Sequence, residues 1–352
     1  MSNPARGTLS AASSPRGRGR GHGPQDARGF AGQPSRSRGQ NRGRGPGRGR
    51  GRGIVPNDRA QLQAISRETE TVIPSILNAS QNSTLLREGI LYQSPRAPPR
   101  LDRKFCPGFT GTKIMVLEAD TFDAAIQLFK DSSNNKQSSA PVTDVAVLNM
   151  ASDFVPGGGW LSGAQAQEEA LCRRSTLTAS LQQHFYPTPS NAVIYSPAVI
   201  VFRDCLKHGH GLMDLSDPDS LPLVSVISMA ALRRPGVIKG PNSLLKFASP
   251  KDRDLTKEKM RVILRLSAWK RHRKLVLGAL GCGAFRNPPE EVADCWAEVF
   301  SEPEFCGGWW EKVVFAVIDE MGLGAGRHGN KGIFFGRLDG IEIGARWPIF
   351  GG

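Results

Sequence analysis

Short runs of branched apolar residues alternate with longer segments of helical periodicity along most of this chain. The apolar runs have the length of buried β-strands, and the longer segments have the three- and four-residue spacing of amphipathic helices. The predicted strands lie at residues 113–119, 145–148, 192–201 (two strands of a hairpin-like excursion), 223–229, 274–278 and 312–318; the predicted helices lie at residues 121–130, 170–181, 254–270 and 288–300. Such alternation predicts an α/β fold in which a sheet is sandwiched by helices. After residue 319 the chain is glycine-rich, and no element is predicted there.

The N-terminal part of the chain has a different character. Residues 1–53 repeat Arg-Gly and contain almost no large apolar side chain. They cannot bury enough surface to offset chain entropy, so they are predicted to stay disordered. Residues 57–78 show helical spacing, with Asn57 or Asp58 as the N-cap and with Pro74 expected to break or kink the helix.

The positive charge of the chain is concentrated in this N-terminal arm. The formal net charge is +14 for 352 residues. Residues 1–53 contain 12 Arg and a single acid, which gives +11 and leaves only +3 for the remainder. The folded part is therefore not predicted to bind nucleic acid, whereas Arg-Gly tracts suit polyanions such as RNA. The alternative is that the arm is a basic tail for solubility or nuclear import.

The cysteine content and the apolar segments indicate the compartment. The six cysteines are scattered, the chain start lacks the apolar stretch of a secretory signal, and no apolar run approaches membrane-spanning length. We therefore expect free thiols in a soluble, intracellular protein. Cys205, His208 and His210 are potential metal donors, but a second half at zinc-binding spacing is absent from the sequence, and a surface loop is the favoured interpretation.

The stretch with the clearest chemical content follows the predicted strand at 145–148. Asn149 ends that strand, three consecutive glycines come at Gly157, Gly158 and Gly159, and a polar triplet follows at Gln167, Glu168 and Glu169, before a predicted helix. Glycine-rich loops and helix starts present backbone N–H groups to anionic oxygens, so this arrangement suits a ligand that carries phosphate. The alternative is a glycine-rich turn with a solvated pair of carboxylates.

The spacing of this motif resembles the signature of the poly(ADP-ribose) glycohydrolases, in which GGG is followed by six to eight residues and then QEE. The surrounding sequence is most similar to the shorter, microbial-type branch of that family, which is built on a macrodomain, with a mixed sheet sandwiched by helices. The resemblance implies three regions: a disordered arm at residues 1–56, a helical extension at residues 57–100 and a macrodomain-like catalytic domain at residues 101–352.

The resemblance also implies roles for individual residues. Glu169 would be the catalytic acid, Glu168 would orient the substrate through ribose hydroxyls, and Gln167 would support the loop. Asp120 matches the macrodomain position that hydrogen-bonds the adenine amino group, although it also fits an N-cap. The predicted substrate-binding residues are Asp120, Asn149, Gly157, Gly158, Gly159, Gln167, Gly281, Cys282, Gly283, Ala284 and Phe285.

The resemblance also implies a second phosphate-binding loop, at residues 281–284. Residues 281–284 are small, so their backbone N–H groups can meet a diphosphate, and Phe285 matches an aromatic residue that packs on the distal ribose. Cys282 is interpreted as a small loop residue rather than a nucleophile, because no base has supporting spacing. The family requires neither metal nor cofactor.

The expected function is hydrolysis of the ribose–ribose bonds of poly(ADP-ribose), from chain ends, with roles in reversing ADP-ribosylation and in the DNA damage response. The expected partners are ADP-ribose, its polymer and poly(ADP-ribosyl)ated proteins, and the chain is expected to be a monomer in the nucleus, the cytoplasm or both. Two alternatives remain. One is a non-catalytic macrodomain that reads ADP-ribose, and the other is an RNA-binding protein that acts through residues 1–53.

Overall fold

The computed structural model describes residues 58–133, 143–240, 243–319 and 329–344. The strands are β1 (Ile90–Tyr92), β2 (Thr112–Leu117), β3 (Val145–Met150), β4 (Val193–Ile200), β5 (Leu223–Met229), β6 (Val237–Lys239), β7 (Leu245–Phe247), β8 (Lys274–Leu277), β9 (Lys312–Ala316) and β10 (Glu342–Ile343). The helices are α1 (Arg59–Ala79), α2 (Ser83–Arg87), α3 (Thr121–Ser133), α4 (Gln167–Arg174), α5 (Pro250–Trp269), α6 (Pro289–Phe300) and α7 (Asn330–Leu338). The predicted arm at residues 1–53 lies outside the described residues.

Eight of the strands form one mixed sheet in the order β1-β4-β5-β3-β8-β9-β2-β10. The central strands β5, β3, β8, β9 and β2 are parallel, whereas β4 and the two edge strands pair antiparallel. The remaining two strands, β6 and β7, form a separate antiparallel hairpin. The prediction of an α/β fold with a mixed sheet is confirmed.

Helices cover both faces of the sheet, and the central strands are apolar on both sides. On β3, Ala146 and Leu148 pack with α5, α6 and α7, whereas Val145 and Val147 pack with α3 and α4. The same division recurs on β8 and β9, as expected for parallel strands buried on both faces. The sheet is therefore rigid where it ends in the loops described below.

Two predicted elements differ from the structure for identifiable reasons. Residues 193–200 form one strand rather than two, and the register of β4 against β5 shifts between Ser196 and Val199. Pro197 lies in that shift, where its missing N–H produces a bulge instead of a turn. The helix predicted at 170–181 instead spans Gln167–Arg174, and its polar first turn concealed its true start.

Helix α1 is continuous through Pro74, so the predicted break is wrong. Pro74 has no N–H to donate to the carbonyl of Glu70, one turn earlier. Both residues are exposed, so water can donate to that carbonyl instead. The buried face of the helix contains Leu62, Thr69 and Ile73. The predicted N-cap is confirmed at Asp58, whose side chain accepts from the Ala60 N–H.

The first helix also braces the segment that contains the three glycines. Ser66 Oγ donates to the Trp160 carbonyl at 2.7 Å, and Arg59 Nε donates to the Ser162 carbonyl at 2.7 Å. Thr69 Oγ1 donates to the carbonyl of Arg173 in α4 at 2.9 Å. The predicted extension therefore contacts both the glycine segment and the helix that follows it, and its strand β1 pairs with β4.

The elements after residue 319 were not predicted from the sequence. Helix α7 packs its buried Phe334 and Leu338 against the core formed by α5 and α6, and β10 pairs with β2 at the edge of the sheet.

Among the helices of the described ranges, none combines the length and apolar character that a membrane span requires.

Candidate active site

The predicted site residues other than Asp120 lie where three neighbouring parallel strands end. Strand β3 pairs with β5 on one side and with β8 on the other, in parallel register. The segments that leave these strands, at residues 151–166, 230–236 and 278–288, therefore meet at one edge of the sheet. Such an edge is where α/β sheets commonly bind ligands.

The glycine triplet wraps around the carboxylates of helix α4. Gly157 and Gly158 have φ angles of +69° and +57°, which side chains rarely tolerate. A Cβ on Gly158 would lie 2.6 Å from Glu169 Oε1 and 3.0 Å from Glu168 Oε2. The Gly159 N–H donates to Glu169 Oε1 at 2.9 Å. The backbone thus fits so closely against the carboxylates that a side chain at position 158 would displace them. An open depression of about 440 Å³ adjoins this loop and includes Gly158 and Gly159 in its lining.

The two glutamates occupy the first turn of α4, and both are buried. Glu168 is 3% exposed and Glu169 is 8% exposed. Glu168 Oε2 accepts from the Ser152 N–H at 2.6 Å, and its Oε1 lies 3.4 Å from Asn149 Nδ2. Glu169 Oε2 is buried and has no hydrogen-bond partner among the described residues. One carboxylate is therefore fixed by the strand end, and the other keeps one oxygen available.

The environment of Glu168 favours a proton on this carboxyl at neutral pH. Burial raises the pKa of Glu168 to about 8, and the adjacent charge of Glu169 acts in the same direction. The hydrogen bonds from the Ser152 N–H and from Asn149 oppose this rise in the pKa without cancelling it.

Gln167 and Asn149 connect the same strand end to its surroundings. Gln167 Oε1 accepts from the Met150 N–H at 2.9 Å, and its Nε2 donates to the Leu148 carbonyl at 2.8 Å. These contacts fit the predicted supporting role of Gln167. Asn149 is fully buried, its Nδ2 donates to Ser228 Oγ at 3.0 Å, and its Oδ1 has no partner in the described ranges. Substrate contact by either residue stays a prediction.

The second glycine loop follows β8 and is held by a residue that the sequence analysis missed. Gly281 has a φ of +77°, and a Cβ there would lie 2.5 Å from Asn287 Nδ2. Asn287 Nδ2 donates to the carbonyls of Leu232 at 2.7 Å and of Gly281 at 3.1 Å. Gly283 and Ala284 are exposed at the tip of the loop. The loop is thus a rigid turn whose small residues face solvent.

Cys282 is half-buried within this second loop. Burial raises the pKa of its thiol, which disfavours the reactive thiolate. This agrees with its interpretation as a small loop residue. Phe285, at the end of the loop, is also half-buried.

Arg233 connects the two glycine loops, and the sequence contained no signal for this contact. Its guanidinium lies 4.4 Å from the ring centroid of Phe285 and 5.0 Å from that of Phe154. It also pairs with Asp153 at 2.5 Å. Asp153 and Phe154 belong to the first loop and Phe285 to the second, so one cation from the segment after β5 joins all three segments.

Asp120 lies at the start of α3 and is bound to the far end of α4. It pairs with Arg174, which is completely buried and also pairs with Asp123 at 2.7 Å. Asp120 Oδ1 accepts from the Phe122 N–H at 2.8 Å, which is the capping role considered from the sequence. Burial raises the pKa of Asp120, and the charge of Arg174 opposes that rise. Contact with adenine stays a prediction.

Tyr186 is a further residue that the sequence analysis missed. Its hydroxyl is buried without a partner among the described residues, and burial together with the nearby charge of Glu168 raises its pKa. Unpaired buried polar atoms also occur on Glu169 and Asn149, and in the core on Trp296. Those of Glu169, Asn149 and Tyr186 suit a ligand rich in hydroxyl groups, because a buried polar atom is costly to leave unpaired.

The potential metal donors after β4 do not form a recognisable metal site. Cys205 Sγ lies 3.6 Å from His208 Nδ1, and the buried His210 donates from Nδ1 to the Asp204 carbonyl at 3.1 Å. Burial lowers the pKa of His210 to about 4, so its ring is neutral. In the part of the chain that the structure describes, no group of three or more His, Cys, Asp or Glu side chains could hold a metal ion.

Comparison with known proteins connects this geometry to a family. The family model for the microbial-type PARG catalytic domain, PARG being poly(ADP-ribose) glycohydrolase, matches residues 62–204. The inhibitor-bound poly(ADP-ribose) glycohydrolase of Thermomonospora curvata, in complex with ADP-HPD, is 30% identical with a TM-score of 0.58, and the match covers 79% of this chain and 99% of that chain. The chain belongs to the microbial-type poly(ADP-ribose) glycohydrolase family.

Other structures of this glycohydrolase family are similar over most of the chain. Another Thermomonospora curvata glycohydrolase structure gives a TM-score of 0.60 at 28% identity, with coverage of 79% of this chain and 99% of that chain. The Deinococcus radiodurans glycohydrolase in complex with ADP-ribose gives 0.54 at 30% identity, with coverage of 73% and 97%. No curated protein sequence matches the chain. The family model and the structural matches confirm the predicted family, and the chain is a glycosidase.

Proposed function

We propose that this chain hydrolyses the ribose–ribose O-glycosidic bonds of poly(ADP-ribose) and releases ADP-ribose from chain ends. The observation that carries the proposal is the buried carboxyl of Glu169. The Gly159 N–H holds one of its oxygens, and the other has no partner in the described ranges. A non-catalytic reader of ADP-ribose has no need for such a group.

In this mechanism Glu169 acts first as an acid and then as a base. Its proton passes to the oxygen of the departing ribose as the bond from the anomeric carbon breaks and positive charge develops on the remaining ribose. The resulting carboxylate takes a proton from the water that attacks the anomeric carbon, which restores the acid. Glu168 and Glu169 are adjacent on one helix turn, so they do not flank the bond as in common glycosidases. One residue therefore performs both proton transfers.

The surrounding groups position the substrate in the same proposal. The diphosphate is held by backbone N–H groups of the two glycine loops, the distal ribose packs on Phe285, and Asp120 contacts the adenine. Glu168, fixed by the Ser152 N–H, orients ribose hydroxyls. Poly(ADP-ribosyl)ated proteins would be the physiological targets, inside the cell. Contact of residues 1–53 with RNA or polymer is a further proposal, outside the described residues.

The test of the function uses the purified full chain and labelled, enzyme-synthesised poly(ADP-ribose). We expect ADP-ribose as the first product, with the polymer shortening gradually, because in this proposal the site binds a terminal unit. Early appearance of intermediate oligomers would instead indicate internal cleavage. Tight binding of polymer without release of ADP-ribose would overturn the hydrolase and favour the reader.

The pH dependence of the reaction follows from the proton that Glu168 retains. The pKa of Glu168 is raised to about 8, so the folded protein binds that proton up to about pH 8. We expect kcat/KM to fall by about tenfold per pH unit above pH 8, since Glu168 orients ribose hydroxyls in this proposal and loses there the proton that it can donate to them. Stability should follow the same group. It is highest below the unfolded carboxyl pKa and declines as the pH rises toward 8.

The measurement is a pH–rate profile of the wild type and of Glu168→Gln. Lys259 titrates in the same range, because burial lowers its pKa to about 8, so the variant is needed to assign the alkaline limb. We expect the limb to move in Glu168→Gln. An unchanged alkaline limb in this variant would show that Glu168 does not control the pH dependence of the reaction.

A further inference from the structure

The hairpin formed by β6 and β7 carries an unusual excess of positive charge. We define the basic hairpin as residues 234–240 and 243–251, which include exposed Arg234, Lys239, Lys246 and Lys251 and contain no Asp or Glu. Both strands also expose apolar side chains, of which Ile238 is 52% exposed. The hairpin therefore places cations, which suit a phosphate backbone, beside exposed apolar side chains.

The cations of the basic hairpin differ from those of the helix that follows it. On α5, Arg253, Lys257, Arg261 and Arg265 all pair with glutamates of α5, α6 or the segment after α6. Within the described ranges, the four hairpin cations have no carboxylate within 4.0 Å. Clustered cations without internal partners repel one another, so this surface is suited to an external polyanion.

The base of the basic hairpin is attached to the second glycine loop. The Arg234 N–H donates to the Phe285 carbonyl at 2.8 Å, and Asn287 Nδ2 donates to the Leu232 carbonyl at 2.7 Å. Arg233, one residue before the hairpin, stacks on Phe285 and pairs with Asp153. The hairpin thus starts beside the aromatic residue assigned to the distal ribose, the sugar whose bond is cleaved.

We propose that the basic hairpin binds the polymer units that remain on the leaving side of the cleaved bond. The inference rests on the proposed function, in which the two glycine loops hold only the terminal unit. Beyond the cleaved bond the substrate continues as adenosine and diphosphate, two negative charges per unit. Lysines of the hairpin pair with those phosphates, and the exposed apolar side chains contact adenine. Long chains consequently bind better than short ones.

The test compares two full-length triple variants with equal loss of charge. Lys239→Gln, Lys246→Gln and Lys251→Gln together remove the proposed contacts. The control is Lys113→Gln, Lys130→Gln and Lys207→Gln, which removes three exposed lysines elsewhere on the chain. We expect the hairpin variant to raise KM for long poly(ADP-ribose) about tenfold, with kcat unchanged, and to lower the slope of log KM against log salt by about two. Affinity for free ADP-ribose should be unchanged in both variants.

Three results would overturn the inference. One is an equal KM for long polymer in the hairpin and control variants. Another is an equal loss of affinity for free ADP-ribose, which would place the hairpin at the terminal unit. A third is loss of binding to a single-stranded RNA oligonucleotide with normal polymer kinetics, which would make it a nucleic-acid surface. Failure of the wild type to release ADP-ribose would instead refute the proposed function itself.

Discussion

Replacing Glu169 by Gln is expected to lower kcat for ADP-ribose release by about a thousandfold, which is the contribution of a well-placed general acid–base. The amide preserves the size of the side chain and keeps an oxygen for the Gly159 N–H, which lies 2.9 Å from Glu169 Oε1. It cannot deliver a proton to the leaving oxygen. Affinity for ADP-ribose, measured by calorimetry, should change by less than about threefold, because the loss is specific to the transition state.

The matched control for this variant is Glu70→Gln, on the exposed side of α1. It should retain wild-type kcat and the same affinity for ADP-ribose. If Glu169→Gln retained hydrolysis within about tenfold of the wild type, the proton would have to come from another group, and Glu168 would become the candidate. If it lost ADP-ribose binding as well, Glu169 would be a binding residue rather than the acid.

Gly158→Ala is expected to lower kcat by about a hundredfold, because sub-ångström to 1 Å misplacements of catalytic groups have effects of that size. The new methyl group would lie 2.6 Å from Glu169 Oε1 and 3.0 Å from Glu168 Oε2. Both obstacles are ends of side chains, so the protein can fold by moving the carboxylates. The left-handed φ of +57° adds about 1–2 kcal/mol of strain. The expected phenotype is a folded protein, slightly less stable, with its acid displaced.

The measurement pairs kcat with thermal unfolding, and Gly336→Ala is the control. Gly336 lies in α7, and a Cβ there meets no atom within 4 Å. That variant should keep full activity and equal or higher stability, since Ala favours a helix over Gly. Wild-type kcat in Gly158→Ala would mean that the close fit between the glycine loop and the carboxylates has no catalytic role.

The sequence predicted those parts of the site in which the reactive side chains and the residues that contact them lie close together along the chain. Seven residues separate the glycine triplet from the triplet that contains Gln167 and the two glutamates. A strand, a glycine turn and a helix start can therefore be assembled from local rules alone. The hydrogen bond from Gly159 to Glu169 follows naturally from that assembly.

Contacts between distant segments could not be predicted in the same way. Arg233 joins Asp153 and Phe285, which lie 80 and 52 positions away in the sequence, and only the parallel order of β5, β3 and β8 brings them together. No feature of the sequence distinguished Arg233 from other arginines of the chain. The α7 and β10 elements were missed because glycine-rich sequence conceals a short helix that is stable only through its packing.

The bracing of the glycine segment by the first helix bears on how far the chain can be shortened. A fragment that starts at residue 101, where the catalytic domain was predicted to begin, would keep the central parallel strands. It would lose the Ser66 hydroxyl that holds the Trp160 carbonyl and the Thr69 hydroxyl that holds the end of α4. Such a trimmed protein could retain its sheet while its glutamates lost their alignment. The first helix therefore belongs to the smallest working unit of this enzyme.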